Sequence, residues 1–94
     1  MKAYQIEKCK AIANHYGKES QMLIAIEEMS ELTKELCKYF RRYNRRSEII
    51  EEIADAKIML EQLTELFNAE KEVSNMVDYK LRRQMRRIEQ ERGE

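Results

Sequence analysis

The chain contains no proline, and its only glycines are Gly17 and Gly93. Proline ends helices and glycine loosens them, so almost nothing in this sequence interrupts a helix. Charged residues make up 38% of the chain, and the many Glu, Lys and Arg residues among them favour helices. The sequence therefore predicts an all-α fold, and 94 residues are enough for one domain spanning residues 1–94.

Start and stop signals divide the chain into four predicted helices. We expect them at about residues 3–16, 20–42, 47–67 and 71–94. Gly17 is a typical residue after a helix end, whereas Ser20 and Ser47 are predicted N-caps of the second and third helices. The connection RRYNRRS is so short that the second and third helices are predicted to be antiparallel neighbours.

Apolar residues recur at three- and four-residue steps in these two helices, the period of an amphipathic helix. The predicted apolar stripes are Met22, Ala25, Met29, Leu32, Leu36 and Tyr39 in one helix, and Ile49, Ile53, Ala56, Leu60, Leu63 and Phe67 in the other. Further apolar residues lie outside the stripes, more than a lone hairpin can cover. We therefore expect the antiparallel hairpin and its flanking helices to form a four-helix-bundle-like core completed by oligomerisation, in a homodimer or homotetramer.

The formal net charge is zero, from 18 acidic and 18 basic residues, which gives no general attraction to nucleic acid or membrane. Cys9 and Cys37 form no CxxC pair, which is typical of reduced, half-buried thiols in a cytosolic protein. No signal peptide is recognisable, and no apolar run approaches the about 20 residues that span a bilayer. We expect a cytoplasmic protein with no membrane or nucleic-acid partner.

Four carboxylates occupy matching positions on the two antiparallel helices: Glu28, Glu31, Glu52 and Asp55. At about 100° per residue, each pair lies roughly 70° and 130° from its apolar stripe, in the same rotational sense. Equal offsets place both pairs on one face of an antiparallel hairpin, where they repel one another unless protons or a cation intervene. Carboxylates suit Mg²⁺, or Mn²⁺, so we predict a metal site; the alternative is a set of solvated charges on Glu-rich helices.

The stretches IEEMSELTKEL and EEIADAKIMLEQL resemble the ExxE and ExxD motifs of the MazG-like nucleoside triphosphate pyrophosphohydrolases, in the all-α NTP pyrophosphatase superfamily. Twenty residues separate the two motifs, and KYFRR and the YKLRRQMRRI tail are similar to the short form found in Gram-positive bacteria and their phages. The resemblance covers roughly residues 15 to 90 of the chain. It implies hydrolysis of a (d)NTP to a (d)NMP and pyrophosphate, in house-cleaning or nucleotide-pool control, with Mg²⁺ bound by the four carboxylates.

The resemblance also implies supporting roles for residues near the carboxylates and in the last helix. Candidates for the general base, or for contacts that orient the metal ligands, are Glu35, Glu48 and Glu27. Candidates for phosphate binding, on one stripe of the fourth helix, are Lys80, Arg83 and Arg87, with a solvated basic face as the alternative. Gln21 is a candidate for contact with the base. Asp78 stands where many relatives carry Asn, which weakens the case for nucleotide recognition at that position.

Several other residues are expected to be structural. His15 is predicted to end the first helix, and Met22, Met29 and Met59 are predicted to fill the core. The arginines of the connection, Arg41, Arg42, Arg45 and Arg46, are expected to keep it soluble.

Three other functions are consistent with parts of the sequence. A phosphoribosyl-ATP pyrophosphatase shares the size and acidic helices but has different motif residues, since this chain reads IADAKIML at its second motif. A non-catalytic helical oligomerisation or adaptor module would need none of the carboxylates. RNA binding through the basic tail lacks support from the net charge.

Overall fold

A computed structural model of the chain describes residues 1–93. These residues form the helices α1 (Ala3–Tyr16), α2 (Lys18–Phe40), α3 (Arg46–Leu66) and α4 (Glu70–Arg92). The all-α prediction and the positions of the four helices are confirmed. The predicted continuation of the fourth helix to Glu94 lies outside the described residues.

Both predicted serine N-caps are wrong, because α2 and α3 begin before them. Gly17 separates α1 from α2 with a positive φ of 91°, a backbone conformation that glycine adopts without strain. Ser20 therefore lies inside α2, and its hydroxyl contacts Gln21. Arg45 precedes the first residue of α3, and the hydroxyl of Ser47 donates to the side chain of Glu48 at 2.9 Å.

The second and third helices form the predicted antiparallel hairpin. Gln21, near the start of α2, contacts Gln62, near the end of α3, while Glu35 and Arg45 contact each other at the opposite end. α1 packs mainly on α3. Its Cys9 and Ala13 are buried, whereas Cys37 on α2 is exposed, so neither thiol is half-buried as predicted.

The predicted apolar stripes do not form the interface between α2 and α3. Only Ala25 and Ala56 of the twelve stripe residues are buried, whereas Met59, which lies outside its stripe, is also buried. The helices are rotated about their axes so that small and polar residues meet between them. The larger apolar residues are left at one side, where they line an apolar groove of about 650 Å³. We call it the apolar groove; it is lined by Met22, Ala25, Ile26, Met29, Ser30, Thr33, Leu60, Leu63 and Phe67.

Two of the three methionines predicted to fill the core therefore lie elsewhere. Met59 is buried as predicted, but Met22 is 40% exposed and Met29 is only partly buried, and both line the apolar groove. The rotation of α2 accounts for this difference, since it turns these side chains away from α3.

The last helix extends away from the others. α4 contains no buried residue and packs only against α3. The described chain has a radius of gyration of 16.4 Å, against about 12 Å for a compact chain of this length. Its accessible surface is 7822 Å², roughly 2,000 Å² more than a compact monomer of its mass exposes. A single copy thus leaves much apolar surface uncovered.

None of the helices in residues 1–93 is both long enough and apolar enough to cross a membrane.

Candidate metal centre

Polar side chains meet between α2 and α3 at three levels, spaced by seven residues along α2. The first level, the amide layer, consists of Gln21 and Gln62. The second, the acidic layer, consists of Glu28, Glu52 and Asp55. The third, the ion-pair layer, consists of Glu35 and Arg45. Seven residues are nearly two helical turns, so Gln21, Glu28 and Glu35 lie on the same face of α2.

The acidic layer brings three carboxylates from two helices to one point. One oxygen each from Glu28, Glu52 and Asp55 lies within 4.8 Å of the other two. Oxygens on opposite sides of Mg²⁺ are separated by about 4.2 Å, so a small closing movement would fit all three around one ion. Oε2 of Glu52 is buried and has no hydrogen-bond partner among residues 1–93. The donor set and the unpaired oxygen both suit a hard divalent cation.

In this layer the pKa values of Glu28 and Glu52 are raised, because burial and nearby carboxylates disfavour their charged forms. Burial raises the pKa of Glu28, and the adjacent carboxylate of Asp55 raises it further, by its charge and by sharing a proton. Burial also raises the pKa of Glu52, followed by the charges of Asp55 and Glu31. The charged groups that raise these two pKa values most are carboxylates, and within residues 1–93 no ion pair joins Glu28, Glu52 or Asp55 to a lysine or arginine.

Glu31, the fourth predicted metal ligand, lies outside the group of three. Its carboxylate is 3.7 Å from Nζ of Lys34, and about half of its side chain is exposed. Glu31 lies one turn after Glu28 and about 60° around the helix from it, farther from the buried face of α2, so its side chain is more exposed. Its charge still raises the pKa of both Glu28 and Glu52, which keeps it at the edge of the layer.

The two flanking layers are internally satisfied. In the amide layer, Nε2 of Gln21 donates to Oε1 of Gln62 at 2.7 Å, and both residues are buried. In the ion-pair layer, Nε and Nη2 of Arg45 donate to the two carboxylate oxygens of Glu35 at 2.7 and 3.2 Å. The hydrogen bond from Arg45, and then its charge, lower the pKa of Glu35 although burial opposes this shift.

These contacts decide where several candidates lie. Gln21 is buried against Gln62 and is not exposed to contact a base. Glu35 is already held by Arg45, one of the arginines expected only to solubilise the connection. Glu48 accepts hydrogen bonds from Ser47, and Glu27 is exposed on α2.

The basic candidates of α4 do not reach the acidic layer of their own chain. Arg83 lies over the ring of Tyr79, with 5.8 Å between Cζ and the ring centroid. Arg87 donates to Gln84 at 3.4 Å. In residues 1–93, no ion pair joins Lys80, Arg83 or Arg87 to a carboxylate. His15 lies in the last turn of α1 as predicted, edge-on to Tyr16.

The sequence reasoning missed Arg45 and Gln62 as members of polar layers. The signal was present, because polar residues recur every seven positions at residues 21, 28 and 35, and again at residues 55 and 62. Reading the helices by their apolar stripes hid this second period.

Comparisons of the chain with protein-family models, curated proteins and solved structures find no significant match. The resemblance of the two acidic motifs to MazG-like enzymes therefore stays a prediction.

Proposed function

We propose that the chain is a Mg²⁺-dependent nucleoside triphosphate pyrophosphohydrolase, with Mn²⁺ as a possible substitute. Water would attack the α-phosphorus of a (d)NTP, the bond to the bridging oxygen of the β-phosphate would break, and a (d)NMP and pyrophosphate would leave. The observation that supports this proposal best is the acidic layer, where three carboxylates converge and no ion pair within residues 1–93 reaches them. Their spacing matches the motif pair that the resemblance rests on.

Three residues would hold the ion in this proposal: Glu28, Glu52 and Asp55. A bound Mg²⁺ would supply charge neutralisation for phosphate oxygens and a lower pKa for the attacking water. Asp55 is exposed, so its side of the layer is open to substrate and water. Glu31 would join the site by leaving Lys34, an exposed ion pair of the kind worth little free energy.

The contacts of the three candidates for the general base favour one of them. Glu35 is held by two hydrogen bonds from Arg45, and its lowered pKa makes it a weaker base. Glu48 lies one turn before Glu52 on α3, accepts a hydrogen bond from the neutral hydroxyl of Ser47, and is 4.0 Å from Nε of Arg45, so it is the better candidate. Glu27 is exposed on α2 and ranks after Glu48.

Phosphate binding in this proposal involves a second copy of the chain. Since α4 leaves its own bundle, Lys80, Arg83 and Arg87 would meet the triphosphate from a neighbouring copy. The surface exposed in excess, roughly 2,000 Å² per chain, is of the size that an obligate dimer buries on each partner. The apolar groove would be covered in the same assembly, a homodimer or homotetramer.

Pyrophosphate release is the direct test. We would supply a panel of dNTPs, NTPs and phosphoribosyl-ATP with Mg²⁺ or Mn²⁺, and compare the wild type with Glu52→Gln. Glu51→Gln is the matched control, because this neighbouring glutamate is exposed and lies outside the group of three. The proposal expects metal-dependent release that Glu52→Gln lacks and Glu51→Gln keeps; phosphoribosyl-ATP as sole substrate would support the related pyrophosphatase.

A non-catalytic oligomerisation module is the second candidate, and the exposed apolar surface of the groove and of α4 favours it. This function requires the apolar residues but not the carboxylates. Release absent across the whole panel, together with an oligomer that survives Glu52→Gln, would favour the module over the enzyme.

A further inference from the structure

The acidic layer lies between two polar layers whose side chains are hydrogen-bonded to each other. The amide layer is one heptad before it on α2, and the ion-pair layer is one heptad after it. Gln21, Gln62 and Glu35 are among the most buried residues of the chain, at 2–6% exposure. Apolar residues at these positions would exclude water without needing a partner, so the polar residues call for a reason beyond stability.

We propose that the residues of the amide layer and the ion-pair layer are positioning residues. They fix the register of α2 against α3, and this register holds Glu28, Glu52 and Asp55 within reach of one ion.

The physical basis is the cost of leaving a buried polar group without its partner. If α3 slid by one heptad along α2, about 10 Å, the amide and ion-pair partners would be separated and other polar residues would face them. Gln21 would then face Asp55 in one direction, and Glu28 would face Gln62 in the other. The first slide moves Gln62 past the start of α2 and the second moves Gln21 past the end of α3, so each slide leaves one buried amide without a partner on the opposite helix. Apolar side chains would pack almost equally well in several registers.

The two layers divide this task along the hairpin. Arg45 sits at the connection between α2 and α3, where the short chain already limits sliding. Gln21 and Gln62 are 41 residues apart in sequence, at the open end of the hairpin, where no connection restrains the helices. The acidic layer repels itself and cannot hold its own alignment, so it depends on the pairs at either side.

The claim that these residues fix the register of α2 against α3 does not depend on the proposed chemistry. The claim that this register serves a metal site rests on the proposed function. Two readouts keep these claims separate. The first is the distance between spin labels on α2 and α3, which needs no metal. The second is the affinity for Mn²⁺, measured by electron paramagnetic resonance of the free ion.

For the distance, exposed Glu19 and Lys57 would be changed to Cys and labelled, in a background where Cys9→Ala and Cys37→Ser remove the native thiols. Labelled chain would be diluted with unlabelled chain so that only distances within one copy are measured. The test variant is Gln21→Leu with Gln62→Leu, which removes both amides and leaves no orphan. A further variant adds Glu35→Leu and Arg45→Leu, and the control is Met59→Leu, an apolar change in the same interface.

We expect one narrow distance in the wild type and in Met59→Leu, and a broad or double distribution in the Gln21→Leu, Gln62→Leu variant. Its thermal stability should equal or exceed that of the wild type, while its Mn²⁺ affinity falls about tenfold, the range found for residues that orient metal ligands. A purely structural role predicts the opposite, a loss of stability with register and affinity unchanged.

An unchanged distance distribution in both polar-to-Leu variants would overturn the inference, and the amide variant alone decides if the fourfold variant does not fold. If the wild type binds no Mn²⁺ but the distribution still broadens, the register claim holds and the proposed metal site fails.

Discussion

The acidic layer and the ion-pair layer occupy equivalent positions on α2, one heptad apart. The pKa of the α2 glutamate is nevertheless shifted in opposite directions in the two layers. Glu35 receives two hydrogen bonds from Arg45, and its pKa is lowered. Glu28 meets Asp55 and Glu52 instead, and its pKa is raised. The same hairpin can therefore provide a guanidinium for a buried carboxylate but does not do so at the acidic layer.

At the acidic layer the chain departs from what stability alone favours. Unpaired carboxylates brought together destabilise a fold, since each loses hydration and repels the others. Such departures are characteristic of functional sites, because the strain is relieved when a ligand binds. The acidic layer is thus the part of the described chain where a bound cation would relieve the most repulsion.

The largest predicted effect comes from a substitution in the acidic layer. Asp55→Asn removes one charge of the layer while keeping nearly the same shape. We expect metal-dependent pyrophosphate release to fall to background, because a neutral amide is a poor ligand for Mg²⁺. The helical circular dichroism signal should be retained, and the metal-free protein should be no less stable, since one repelling charge is gone.

Loss of folding in Asp55→Asn would instead assign a structural role to this carboxylate. The exposed Glu51→Gln serves as the control, because it also removes one negative charge from α3 but lies outside the layer.

Adding the missing cation should make the acidic layer resemble the satisfied ion-pair layer. A Mg²⁺ concentration of 100 times its dissociation constant stabilises the folded state by about 2.7 kcal/mol if the ion binds only that state. We expect thermal unfolding to shift upward with Mg²⁺ in the wild type and to stay nearly constant in Glu28→Gln. A shift of equal size in Glu28→Gln and wild type would place the bound ion elsewhere.

A smaller effect concerns the other possible source of positive charge, the basic stripe of α4. Lys80→Ala should raise KM for the triphosphate about tenfold, the loss of one charge-assisted phosphate contact, with little change in kcat. Arg82→Ala is the control on the same helix, since this arginine lies about 200° around it from Lys80. KM unchanged in Lys80→Ala would remove this residue from phosphate binding.

Much of the fold could be predicted because helix-forming composition, rare breakers and one short connection leave few alternatives. The end of α1 follows from Gly17, and the antiparallel hairpin follows from the short connection RRYNRRS. The rotation of α2 and α3 could not be predicted, because the apolar stripes suggested one interface while buried polar pairs define another. Pair formation between Gln21 and Gln62 depends on contacts 41 residues apart, which local patterns do not encode.

The candidate site was predicted in outline for a similar reason. The structure brings Glu28, Glu52 and Asp55 together, as helical period and antiparallel packing indicated, while their role as metal ligands stays a prediction. Glu31 was expected in the same group but lies at its edge beside Lys34, because its position depends on the rotation of α2 by a fraction of a turn. The role of Arg45 was missed because a basic residue in a connection usually faces solvent.

The smallest predicted effect compares the two layers directly through pH, in EDTA so that no metal contributes. Glu28 has a raised pKa in the folded chain, so its contribution is most favourable below the unfolded value of about 4.3 and is lost as the pH rises through the raised pKa. Glu35 has a lowered pKa, so its contribution is present above about pH 4.3 and is lost as the pH falls through the lowered value.

At pH 7, Glu28→Gln should therefore unfold a few degrees above the wild type and Glu35→Gln a few degrees below it. The Glu28 difference should shrink as the pH falls toward 4, and the Glu35 difference should shrink as the pH falls below about 4.3, as measured by thermal circular dichroism. Differences of the same sign for the two variants at pH 7 would mean that the layers are not electrostatically distinct, and the case for an ion at the acidic layer would lose its main support.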